Sequence, residues 1–315
     1  MSWTTADIPA QTGRVAVVTG ANGGLGLEVT RALAAKGAHV VMAARNPDKA
    51  NRARDQLLIT QPDAALEVVE LDLADLASVH TAAAAIAAAH PVIDLLVNNA
   101  GVMAIPERQT ADGFEMQFGT NHLGHFVLTA NLCLSLVRSS SARVVSVTST
   151  GRHFGRSVDP SNPQMHGRYD PWRAYGQSKL ANLHFALELD RRFRRAGARA
   201  RSLVAHPGFA NTDLQANSAR ETPGGASQRF FDVAVRKFGM SPAGGALPLL
   251  RAATDPGAQG GELYTPRWVN NGPPVRRPIT RRSRNLEAMQ TLWDVSEDET
   301  GTTFDVAAVV TAAQS

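Results

Sequence analysis

From Arg14 onward the chain alternates short β-branched runs with longer stretches of helical length, and few folds accommodate that pattern. Val15–Thr19, His39–Ala44, Leu66–Leu71, Ile93–Val97, Arg143–Thr148 and Ala200–Ala205 read as strands. Leu25–Lys36, Pro47–Thr60, Asp75–Ala89, Ala111–Val137 and Trp172–Arg195 have helical length and periodicity. Asp75 is placed to cap its helix, and Gly37 and Gly197 fall where helices should stop. The strands are mostly apolar from end to end, as parallel strands covered on both faces must be. These features predict an α/β fold: one doubly wound domain, a mainly parallel sheet of about seven strands, and helices on both faces.

A chain of 315 residues, 43% hydrophobic and 19% charged, can bury one large core with tails. We expect residues 1–12 to be an N-terminal extension and 13–265 the domain. Residues 266–315 are expected to pack near the substrate site or the surface. The net charge of +4 is modest, and lysine occurs only at Lys36, Lys49, Lys179 and Lys237. Arginine clusters at 191–201 and 276–284 read as solvated faces, so no nucleic-acid partner is expected; strongly salt-dependent nucleic-acid binding would be their alternative. The single cysteine, Cys133, excludes an internal disulfide and fits a reducing compartment. The N-terminus has no charged segment followed by an apolar run, and Ala82–Val97 is interrupted by His90, Pro91 and Asp94. No run reaches the roughly 18 residues of a membrane span, so the expectation is a cytoplasmic protein without a membrane partner. No residues are assigned to a metal.

The first strand ends in Thr19-Gly20-Ala21-Asn22-Gly23-Gly24-Leu25-Gly26, and an amphipathic helix follows at once. Glycines there admit positive φ and let a pyrophosphate approach the backbone, while the helix N-terminus offers free N–H groups. The position, between the first strand and first helix of a β–α–β unit, makes this a Rossmann-type dinucleotide turn. At the end of the second strand stands Ala43-Ala44-Arg45-Asn46, without a carboxylate to bind a ribose 2′-hydroxyl. Arg45 suits a 2′-phosphate, so NADP(H) is expected in preference to NAD(H).

Two further motifs stand in order: Asn98-Asn99-Ala100-Gly101 after the fourth strand, and Tyr175-Gly176-Gln177-Ser178-Lys179 opening a later helix. With the glycine turn, they make the sequence resemble the short-chain dehydrogenase/reductase family. Phe118-Gly119-Thr120-Asn121-His122-Leu123-Gly124-His125-Phe126, His206-Pro207-Gly208 and Leu292-Trp293-Asp294-Val295-Ser296 are similar to its retinol-dehydrogenase-like branch.

The resemblance implies a carbonyl–alcohol oxidoreductase. It makes Tyr175 the acid/base, with a pKa brought down from about 10 towards neutrality. Lys179, one turn on and on the same face, would favour the phenolate and hold the nicotinamide ribose. Ser149 would bind the substrate oxygen, with Thr150 as its rival, and Asn121 would keep a relay water beside Lys179. Asp72 and Leu73, Asn98, Ala100 and Gly101 match cofactor contacts on the adenine side. Pro207, Gly208 and Thr212 match the loop that meets the nicotinamide. His206 reads as structural, Met103 and Met116 as core, and Tyr169 with Arg173 repeats the Tyr–Lys spacing without the surrounding motifs.

The interval from Ser149 to Tyr175 is long for the family, which predicts a reshaped pocket for an apolar carbonyl or alcohol. Two other readings stay open: a double-bond reductase similar to protochlorophyllide reductases, and a dinucleotide-binding redox sensor without turnover. The family also implies a homodimer or homotetramer built through the long helices that begin near Ala111 and Trp172.

Overall fold

A computed structural model describes residues 2–209 and 239–314. The sheet has eight strands: β1 (Val15–Thr19), β2 (His39–Ala44), β3 (Leu66–Glu70), β4 (Leu95–Asn98), β5 (Arg143–Val147), β6 (Arg201–Ala205), β7 (Leu263–Pro266) and β8 (Pro274–Arg277). Their order is β3-β2-β1-β4-β5-β6-β7-β8, parallel throughout except for the last pair. Two strands, β7 and β8, lie outside the runs read as strands from the sequence, and β8 runs into the arginine cluster at 276–284. A proline is tolerated there because β8 is an edge strand and Pro274 is its first residue.

The α-helices among the described residues are α1 (Gly24–Ala34), α2 (Pro47–Thr60), α3 (Leu76–Ala89), α4 (Met116–Phe118), α5 (Gly124–Val137), α6 (Pro171–Arg195), α7 (Pro242–Thr254), α8 (Leu286–Thr300) and α9 (Val306–Gln314). One face of the sheet packs against α1, α2 and α7, where Val29, Leu33, Ala53 and Leu249 meet Val18, Val40 and Leu203. The other face packs against α3, α5 and α6, where Ile86, Phe126 and Leu189 meet Val17, Leu96 and Val144. Asp75 caps α3 through bonds from the Ala77 and Ser78 N–H groups. Gly37 and Gly197 follow their helices at φ +89° and +71°.

The helix expected from Ala111 starts later. Gly113, at φ +87°, closes a turn with Thr110, and the Glu115 side chain then caps the Gln117 and Phe118 N–H groups to begin α4. Between α4 and α5 the backbone widens into a π-helical stretch, Gly119–Leu123. Such bulges often mark functional positions.

The C-terminal tail is longer and more ordered than the sequence suggests. α8 packs on α6 and α9 packs on α5. Trp293, 1% exposed, stacks on Phe304 and Phe185 and meets Phe126 edge-on. Arg192 lies over its ring at 4.0 Å. Burying one such indole contributes on the order of 5 kcal/mol before conformational entropy is subtracted. The tail thereby covers part of the surface of α5 and α6. No helix among the described residues is long and apolar enough to cross a membrane.

Candidate active site

The strand order reverses between β1 and β4, and a crevice opens outside the carboxyl ends of strands at such a point. The glycine turn and the Asn98–Gly101 segment meet there. Gly20 has φ +67° and Gly24 φ +50°. A Cβ on Gly26 would stand 2.3 Å from the Gly20 carbonyl oxygen and 2.7 Å from Asn99 Nδ2. Asn99 Nδ2 donates to the Thr19 carbonyl (2.8 Å), and the Asn99 and Ala100 N–H groups donate to Thr19 Oγ1 (2.9 and 3.0 Å). The cap residue of α1, Gly23, offers no side-chain bond to the helix N-terminus. The first-turn N–H groups therefore remain for an anion, and a dinucleotide pyrophosphate fits this cradle.

Other residues assigned to the cofactor fall around the same crevice. Asn22, Gly23, Gly24 and Leu25 are half-buried along the turn, and Arg45 is exposed at the end of β2, next to the Asn46 cap of α2. Asp72 Oδ1 accepts from Ala74 N–H, and the Leu73 carbonyl lies 2.4 Å from where a Gly124 Cβ would be. The Asn98 side chain turns inward to Thr129, which leaves its backbone and not its amide for a ligand. Gly208, at φ +75°, packs on Asn270 and Pro266 beside Pro207. Thr212 lies outside the described residues.

On α6, Tyr175 and Lys179 are both buried, and Lys179 Nζ is 5.9 Å from the Tyr175 ring centroid. Beyond the end of β5, Ser149 Oγ accepts from Gly151 N–H, and Gly151 packs against both the Tyr175 ring and Ser149 Oγ. Thr148 points inward to the Lys179 carbonyl (2.7 Å), and Thr150 begins a short 3-10 turn. Gly155 and Gly176 let the long loop close on α6: a Cβ on Gly176 would stand 2.4 Å from Gly155 N. That back-to-back contact holds the Ser149 segment against Tyr175. Tyr169 is committed elsewhere, donating to the Ile105 carbonyl and accepting from Gln117. His206 is 1% exposed, a structural environment.

Asn121 sits in the π-helical stretch. Its Oδ1 accepts from Val102 N–H (2.7 Å), and its Nδ2 donates to the Val102 carbonyl and to Ser178 Oγ (both 2.9 Å). A Cβ on Gly101 would meet Asn121 Oδ1 at 2.6 Å and Lys179 Nζ at 3.3 Å. The site thus brings together Asn121, Ser149, Tyr175, Lys179 and Gly101.

Residues 14–223 match the short chain dehydrogenase family. The chain belongs to the short-chain dehydrogenases. Human retinol dehydrogenase 11 is 35% identical over 295 residues, spanning 93% of this chain and 87% of that protein. Short-chain dehydrogenase/reductase prx1 of Penicillium roqueforti is 35% identical over 293 residues, 90% of this chain and 84% of that one. These relatives put this short-chain dehydrogenase in the retinol-dehydrogenase-like branch and make it an oxidoreductase. A crystal structure of an uncharacterized Mycobacterium paratuberculosis protein, 39% identical, superposes with a TM-score of 0.79 and covers 96% of this chain and 99% of that one.

In this short-chain dehydrogenase the protein alone does not lower the tyrosine pKa as the resemblance implied. Burial pushes the Tyr175 phenol up to about 12, with the Ser149 hydroxyl pulling the other way. Burial also draws the Lys179 ammonium down to about 8. Its one hydrogen bond among the described residues is a long one, 3.4 Å to the Val147 carbonyl. A buried ammonium so weakly paired suits the ribose hydroxyls of a dinucleotide.

The sequence reading missed a second layer. Thr19 Oγ1 lies 2.8 Å from His125 Nε2, and His125 Nδ1 lies 3.0 Å from the Asn121 carbonyl. Because a carbonyl can only accept, Nδ1 carries the proton and Nε2 accepts from Thr19. Burial lowers His125 to about 4, which keeps it neutral. His125 thus ties the strand end at the glycine turn to the Asn121 backbone. Ala104, strained at φ +47°, is held by Gln117 Oε1 and packs with Met103 against Tyr175. Met103 is therefore wall of the site as well as core, and Met116 is half-buried.

Proposed function

We propose that this chain is an NADP(H)-dependent oxidoreductase that interconverts a carbonyl and an alcohol on an apolar small molecule. The observation that carries the reading is the group of buried Tyr175, Lys179 and Asn121 with half-buried Ser149, beside the glycine cradle at the carboxyl end of the sheet. Bound nicotinamide supplies or takes the hydride. Ser149 Oγ and the Tyr175 hydroxyl hold the substrate oxygen, and Tyr175 delivers its proton as that oxygen becomes an alkoxide. Lys179 lowers the cost of the phenolate left behind by placing a positive charge nearby. Asn121 and its carbonyl, fixed through His125, keep the region behind Lys179 in register for proton return.

The wall of Met103 and Ala104, with Trp172 edge-on to Tyr175, favours an apolar substrate. Residues 13–265 form the catalytic unit in this reading, and 266–315 brace it: His122 Nε2, on the stretch that carries Asn121, bonds Ser296 of α8 (2.8 Å). A cytoplasmic location remains our reading of the chain.

Arg45, exposed with no carboxylate at the end of β2, supports NADP(H) over NAD(H). Arg45→Ala should weaken NADPH about tenfold and NADH less than twofold, a difference set by one charge-assisted phosphate contact. Fluorescence titration with both cofactors checks this, and equal weakening would refute the preference. Substrate class is tested by following NADPH absorbance over aldehydes, ketones and conjugated alkenes. Turnover confined to the alkenes would move the reading to double-bond reduction, and binding without any turnover would move it to a sensor.

A further inference from the structure

At the end of the sheet opposite the cofactor crevice, three metal-type ligands from three elements converge. His39 opens β2, Glu67 is the second residue of β3, and His90 is the C-cap of α3. Both imidazoles aim Nε2 at the same carboxylate oxygen, Glu67 Oε2, His39 at 3.2 Å and His90 at 2.8 Å. All three ligand atoms lie within 4.8 Å of one another. The side chains are partly exposed, 37% for His39, 35% for Glu67 and 13% for His90, which leaves room for water on the open side.

Two imidazole nitrogens and one carboxylate oxygen form a donor set suited to Zn2+ and its neighbours in the first transition row. Zinc–ligand bonds of about 2.0–2.2 Å put tetrahedral ligand atoms roughly 3.4 Å apart. The contact at 3.2 Å needs to open by about 0.2 Å and the one at 2.8 Å by about 0.6 Å. Two neutral imidazoles and one carboxylate sum to a single negative charge, which a divalent ion overcompensates without a second acid. The positions are 28 and 23 residues apart along the chain, so no short spacing motif announces them. The strand register brings them together: Val41, two residues beyond His39, pairs with Glu67.

We propose that His39, Glu67 and His90 bind a divalent transition-metal ion, Zn2+ by preference, which clamps the edge strand β3 to β2 and to the end of α3. The site is separate from the proposed catalytic group and stands independently of it. Metal bound only by the folded chain raises the unfolding midpoint.

The test uses tag-free, metal-stripped chain titrated with ZnCl2 by calorimetry, with thermal unfolding followed in parallel. The expected result is one Zn2+ per chain and a higher midpoint. His39→Gln/His90→Gln should weaken Zn2+ on the order of a hundredfold or more, since ligand loss costs at least as much as loss of a supporting contact. Glu67→Gln, which keeps a hydrogen-bond acceptor for both imidazoles and so preserves the local packing, should weaken it at least tenfold. Absence of Zn2+ uptake by the unaltered chain would overturn the proposal. So would binding of unchanged strength in Glu67→Gln.

Discussion

Tyr175→Phe should lower turnover by about three orders of magnitude while NADPH affinity stays within roughly twofold. The magnitude is that of a positioned general acid, about 10²–10⁴-fold. In the proposed complex the cofactor's phosphates meet the glycine turn and the phenol oxygen lies on the Ser149 side, so removing one oxygen leaves the anion cradle whole. The ring itself stays packed by Met103, Ala104 and Trp172, so the fold should survive. Fluorescence titration and absorbance kinetics on the same preparation check both halves. Retention of most of the activity would place the proton donor on another residue.

Gly26→Ala should raise the NADPH dissociation constant by about two orders of magnitude and destabilise the chain by about 1–3 kcal/mol, the usual range for overpacking. The added Cβ would stand 2.3 Å from the Gly20 oxygen and 2.8 Å from its carbonyl carbon, both backbone atoms that no rotamer change can move. Either α1 must slide outward or the turn must open, and in both cases the first-turn N–H groups leave their common focus. Titration with NADPH, paired with chemical denaturation, separates the two effects. Near-normal binding would mean that the dinucleotide does not rest on this turn.

The inner strands were legible because each is buried on both faces and reads as a continuous apolar run; β1, β2, β4, β5 and β6 follow this rule. Helix α7 escaped because Gly244, Gly245 and Pro248 depress its propensity, although Ala246, Leu249, Leu250 and Ala253 bury against the sheet. β8 escaped because an arginine-rich strand with a leading proline reads as loop.

In the site, Tyr175 and Lys179 were named through the resemblance their motif carries, since the same spacing recurs at Tyr169 and Arg173, and Gly20 to Gly26 by position between strand and helix. The π-helical widening at Asn121 left no trace in the periodicity, since Phe118, His122 and Phe126 keep an apparently regular apolar stripe. Asn99 and His125 stand in the quoted motifs, but their contacts were silent: each acts through a partner about 80 or 106 residues away, Thr19 in both cases. A long-range hydrogen bond of that kind has no local spacing to read. The covered faces of α5 and α6 were hidden for the same reason, because only the folded chain brings Trp293 and Phe304 onto Phe126 and Phe185.

The most direct test of the account is a crystal structure of this chain with NADP+. The expected result puts the pyrophosphate on the N-terminus of α1, the 2′-phosphate against Arg45, Lys179 Nζ within hydrogen-bonding distance of the nicotinamide ribose, and the Tyr175 hydroxyl facing the reactive edge of the nicotinamide. A dinucleotide bound away from the crevice between β1 and β4, or one whose nicotinamide lies out of reach of that hydroxyl, would contradict it.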